Sequence, residues 1–98
     1  MKINISSVHF TADQKLLDFI NQKVNKLVHL YDDIISCEVI LRLDANDQLG
    51  NKITEIKMVL PGGELFAKKQ CKTFEEAIDQ SIDALKRQID KHKEKFKR

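Results

Sequence analysis

From Thr73 to Arg98 the sequence keeps a single helical period, and this stretch constrains the rest of the chain more than any other. At about 100° per residue, Phe74, Ile78, Ile82, Leu85, Ile89, His92 and Phe96 fall within one narrow arc. A stripe of that length is stable only if another layer buries it. Thr73 supplies the helix start, because its hydroxyl can accept from an orphan backbone N–H, and Glu76 three residues later completes capping-box spacing.

The polar side of this helix changes sign halfway along. Residues 73–85 carry Glu75, Glu76, Asp79 and Asp83 and no base, a net of −4, whereas residues 86–98 carry seven bases and two acids, a net of +5. The whole chain is only +2, so the asymmetry lies in the distribution of charge. Acids at a helix N-terminus and bases at its C-terminus complement the macrodipole, but that effect fades within about one turn. Lys86, Arg87 and Lys91 lie two to three turns from the end, with Lys86, Lys93 and Lys97 on one stripe and Arg87, Lys91 and Arg98 on the next. Charge alone leaves two readings open, a polyanion-binding surface and a solvated face.

Ninety-eight residues, 42% hydrophobic and a third charged, are enough for one domain around one modest core, spanning residues 1–98. The polar alternation of Lys2 to Ser6 is unlike a signal peptide, and no segment approaches membrane-spanning length, so the expected location is the cytoplasm. Cys37 and Cys71 lack the spacing of a zinc site and read as small core residues.

Taken in order, Ile3 and Ile5 alternate with Lys2, Asn4 and Ser6, which predicts a first strand with one buried face. Thr11 and Gln14 have capping-box spacing, and Leu16, Leu17, Ile20, Val24, Leu27, Val28 and Tyr31 then form a second one-sided helix ending at Asp32-Asp33. Lys15, Lys23 and Lys26 fall along one border of it. Ile35, Cys37, Val39, Leu41 and Leu43 give the clearest strand, Asp44 to Gly50 is loop chemistry, and Ile56, Met58 and Leu60 mark the next strand. Pro61-Gly62-Gly63 predicts a tight turn into a strand from Glu64 to Lys72.

The resulting order is βαβββα. Both helical stripes are buried if the helices lie side by side on one face of a four-stranded sheet, an α+β arrangement like that of double-stranded-RNA-binding domains. The other face should carry Glu38, Arg42, Glu55, Lys57, Lys68 and Lys72, a mixture suited to cross-strand pairing.

Catalytic signatures are missing. Gly62-Gly63 precedes a strand rather than a helix, the three histidines are scattered, and no residue has the context of a nucleophile or base. The sequence implies no enzyme, cofactor, metal or small-molecule substrate; His92, in the helical stripe, reads as a packing residue.

With the elements placed, the chain resembles the ribosome hibernation-promoting factors, the family of small bacterial proteins that includes ribosome-associated inhibitor A. The resemblance is carried by Ile3-Asn4-Ile5, Lys23 to Leu27, Tyr31-Asp32, Gly62-Gly63-Glu64, Ala77-Ile78-Asp79 and the run from Arg87 to Lys95. It implies the βαβββα fold and binding to the small ribosomal subunit in the channel used by messenger and transfer RNA, idling ribosomes under stress or in stationary phase. It also implies ribosomal-RNA contacts from Lys23, Lys26, Arg87, Lys91, Lys93 and Lys95, to which the charge pattern adds Lys86.

Three departures are visible. Ala84-Leu85 stands where the family often has Lys-Leu, and the sequence leaves open whether Lys86 replaces the missing contact. Ser6-Ser7 replaces a common Thr-Gly. The sequence stops at Arg98, without the C-terminal dimerisation domain of the long form, so the resemblance is to a short form that pairs ribosomes only with a separate helper factor.

Two other functions compete with this one. A duplex-RNA binder would need lysines where the second helix instead begins with Glu75-Glu76. A protein-interaction module that binds no RNA would set the basic stripe against an acidic partner. Salt is the discriminator, since phosphate binding weakens with a log–log slope of roughly −0.7 to −0.9 per neutralised phosphate whereas a hydrophobic interface barely responds.

Overall fold

The computed structural model describes residues 2–31, 33–44 and 50–96, the last four by backbone alone. The elements are β1 (Lys2–Ser7), α1 (Gln14–Leu30), β2 (Ser36–Leu43), β3 (Lys52–Leu60), β4 (Gly63–Cys71) and α2 (Phe74–Phe96). They form the expected βαβββα order with one sheet, β1-β2-β3-β4. β1 runs parallel to β2, with Ile3 opposite Cys37 and Ile5 opposite Val39, while β2, β3 and β4 pair antiparallel. The parallel pair needs a crossover, and α1 supplies it.

The core lies between the sheet and both helices. Leu16, Ile20, Val24 and Leu27 of α1 and Ile78, Ile82, Leu85 and Ile89 of α2 bury against Cys37, Val39, Leu41, Ile56 and Met58. Alternation explains the strand contribution, since every second residue points to the helical side. On the helix-free side Arg42 pairs with Glu55 at 3.0 Å, both residues expected there, and Lys57 pairs at 3.4 Å with Glu64, which the alternation did not single out.

Two expectations are corrected and a third holds. Asp13, not Thr11, caps α1: its carboxylate accepts from the Leu16 N–H at 2.8 Å, and Gln14 bonds Asp18 instead. A carboxylate two residues nearer the apolar period reaches the free N–H groups that Thr11 cannot. Ile35 and Leu43, expected on the inner face of β2, are both exposed; they lie at the strand's ends, where the helices no longer cover it, and Ile34 is buried in their stead. Thr73 does cap α2, its hydroxyl accepting from the Glu76 N–H at 3.1 Å.

Asp32, the segment 45–49 within the predicted loop, the side chains of Lys93, Lys95 and Phe96, and Lys97 and Arg98 lie outside the described residues.

Candidate nucleic-acid interface

Three contacts fix how the helices sit. The Phe10 ring, just before α1, stacks on Phe74 at the start of α2 with centroids 5.3 Å apart. Lys23, in the middle of α1, reaches Asp79 at 3.2 Å. Tyr31, at the end of α1, donates its hydroxyl hydrogen bond to Asp90 at 3.0 Å. Start meets start and end meets end, so the two helices run in the same direction. Because Tyr31 closes α1 beside Asp90, the last turns of α2 continue past the end of α1.

This alignment brings basic residues from both helices together. Lys23 and Lys26 of α1 and Lys86 of α2 line one groove of about 310 Å³. Two residues apart on a helix means about 200° of rotation. Lys86 therefore faces this groove from nearly the opposite side of α2 to Ala84, which packs against the core. Lys86 does not occupy the place of a lysine at position 84.

Arg87 is exposed on the outer surface of α2. Lys91 is exposed farther round, beside Gln88, His92 and Glu64 of β4. The cations thus wrap around the second half of α2 rather than forming a single row. Lys15 is exposed but does not line the groove, and the side chains of Lys93 and Lys95 are outside the described residues.

Lys23 is the most constrained of these cations. Besides Asp79, its ammonium lies 5.4 Å from the Phe19 ring centroid, within cation–π range. An exposed ion pair of this kind contributes about 0–1 kcal/mol, so a phosphate can displace it at small cost. Asp79, Asp83, His29 and Leu30 also line the groove, and sequence reasoning misses them as part of a site. The signal is present, since Asp79, Asp83 and Lys86 share one side of the helical wheel, but periodicity alone does not reveal which side meets α1.

His92 is half-buried and its Nε2 lies 3.3 Å from the Pro61 carbonyl oxygen, so this ring holds the β3–β4 turn against α2. Gln88 donates to the Phe66 carbonyl at 2.9 Å and satisfies an edge of β4. Among the described residues no cluster of His, Cys, Asp and Glu could hold a metal ion, and no helix is long and apolar enough to cross a membrane.

Residues 3–97 match the family described as sigma 54 modulation protein / S30EA ribosomal protein. The chain belongs to this family. A ribosome hibernation promoting factor of Pseudomonas putida is 35% identical over 95 residues, covering 97% of this chain and 89% of the relative. One from Klebsiella oxytoca is 31% identical over 97 residues, covering 99% and 98%.

Solved structures agree on the fold of this S30EA-family chain. A ribosomal subunit interface protein from Coxiella burnetii superposes with a TM-score of 0.84 at 20% identity, covering 95% of this chain and 98% of the other. The N-terminal domain of Thermus thermophilus Protein Y gives 0.79 at 22% identity, covering 94% and 99%.

Proposed function

We propose that this protein is a ribosome hibernation factor that binds the small ribosomal subunit in the messenger and transfer RNA channel and blocks translation by occupying it. The observation that carries the reading is the meeting of Lys23 and Lys26 with Lys86 in one groove, continued by Arg87 and Lys91 over α2, in a chain of this family. The same surface would extend through Lys93 and Lys95.

The mechanism is steric and electrostatic. Lysine ammonium groups bond phosphate oxygens and release condensed counterions, which supplies affinity with little base readout. Selectivity for the channel comes from matching a folded RNA groove in shape, with cations presented on two rigid parallel helices. No bond is made or broken: the domain fills space that messenger and transfer RNA require. Stress or stationary phase, when ribosomes idle, is the setting in which such a block preserves them. This domain does the occluding.

Glu75 and Glu76 are exposed at the start of α2, where a duplex-RNA binder would present cations, and this disfavours the duplex-binding alternative.

Competition tests the reading. Small subunits preloaded with a short messenger and transfer RNA should bind the protein far more weakly than empty subunits, and added protein should release the transfer RNA. Equal binding to loaded and empty subunits would place the protein outside the channel.

A further inference from the structure

The groove between α1 and α2 is not the surface that phosphate binding alone would build. Its rim carries Lys23, Lys26 and Lys86, but its lining also includes Leu30, which is 61% exposed, and the largely buried Ile82. Two carboxylates, Asp79 and Asp83, stand among the lysines. Asp79 is engaged by Lys23, whereas Asp83 makes no ion pair among the described residues. Helix polarity does not account for Asp83, which lies more than two turns beyond the start of α2, where the macrodipole effect has faded. A lone carboxylate at the centre of a phosphate-binding surface would repel its ligand.

An apolar floor, a free acceptor and a cationic rim together suit a different occupant. A nucleobase presents a flat apolar face, an edge with hydrogen-bond donors, and phosphates on either side of its sugar. The volume of about 310 Å³ is at the small end of ligand sites, the scale of one nucleotide rather than a duplex. Only an unpaired base can be splayed into such a space. Aspartate is a natural acceptor for an exocyclic amine such as cytosine N4.

We infer that this groove takes one unpaired RNA nucleotide whose base carries an exocyclic amine. The base lies against Leu30 and Ile82, Asp83 accepts from its amine, and Lys23, Lys26 and Lys86 hold the flanking phosphates. This deepens the ribosome-binding reading and rests on it.

Three short single strands of equal length test the inference: oligocytidine, oligouridine and an abasic sugar-phosphate strand. The wild-type protein should bind oligocytidine about tenfold more tightly than the abasic strand, the scale of one base contact, with oligouridine between them. Asp83→Ala should abolish the preference for oligocytidine while binding the abasic strand as well as wild type or better, because a charge that repels phosphate is gone. Leu30→Ser, at an exposed position, should weaken binding to both base-bearing strands and leave the abasic strand unchanged.

A phosphate-only groove gives the opposite sign, with Asp83→Ala tightening all three strands alike, and that result would overturn the inference. So would small-subunit binding by the wild type with no preference for oligocytidine, which leaves the ribosome reading intact. If neither the strands nor small subunits bind, both fall.

Discussion

The Tyr31 hydroxyl and the Asp90 carboxylate, 59 residues apart in the chain, meet at 3.0 Å and tie the end of α1 to the basic half of α2. This bond sets where α2 emerges from the packed layer and so where Arg87 and Lys91 are presented. Tyr31→Phe should lower stability by about 1 kcal/mol and the melting temperature by about 4–8 °C. Burial, and then the Asp90 carboxylate, raise the Tyr31 phenol above its ordinary 10.0. A raised folded-state pKa means that its contribution is complete below pH 10 and is lost as pH rises through the higher folded value. Thermal melts from pH 8 to 11 should therefore fall less steeply for the phenylalanine variant than for wild type.

Gly50 closes the β2–β3 connection with φ +100°, in the left-handed region, and a Cβ there would lie 2.7 Å from the Cys71 backbone carbon. The approach is to main chain, which cannot swing aside. Gly50→Ala should cost more than about 1–3 kcal/mol, since backbone strain adds to overpacking, and chemical denaturation measures it.

Ser81 is fully buried in α2, and its hydroxyl has no hydrogen-bond partner among the described residues. Removing an unsatisfied polar atom relieves its desolvation cost, and alanine is the better helix former. Ser81→Ala should raise stability by about 1 kcal/mol in the same denaturation assay; a loss of that size would mean the hydroxyl is satisfied in solution.

Burial pushes the Cys37 thiol from 9.0 up to about 11. The thiolate is the reactive species, so Cys37 should resist alkylation at pH 8 in the folded protein and react promptly in denaturant. Its contribution to stability is intact below pH 9 and lost towards pH 11, a tenfold change in proton affinity being worth roughly 1.4 kcal/mol. Cys71, also buried and raised chiefly by desolvation, should be slow to label as well. Mass spectrometry of labelled peptides separates the two sites.

Local chemistry was legible wherever one residue type and one period agreed. Thr73 and the stripe from Phe74 to Ile89 could be read directly, and so could the turn at Gly62-Gly63. Two residues with capping chemistry hid the start of α1, because Thr11–Gln14 has the right spacing while only Asp13 has the reach. Burial of Ile34 in place of Ile35 depends on how the chain leaves α1, which alternation does not encode. The cations were individually visible, but the pairing of Lys26 with Lys86 across one groove depends on the parallel alignment of the helices. That alignment is set by long-range contacts such as Phe10 with Phe74, so the site's shape, and the acids inside it, emerged only from the fold.

Co-sedimentation with purified small subunits at moderate salt tests the central claim most directly. Wild-type protein is compared with a Lys86→Glu, Arg87→Glu, Lys91→Glu variant whose helix content is matched by circular dichroism. The proposed surface predicts that the wild type pellets with subunits and the variant stays in the supernatant, and that the wild-type fraction falls steeply as salt is raised. Equal pelleting of the two would mean that this face of α2 is merely solvated and would contradict the account.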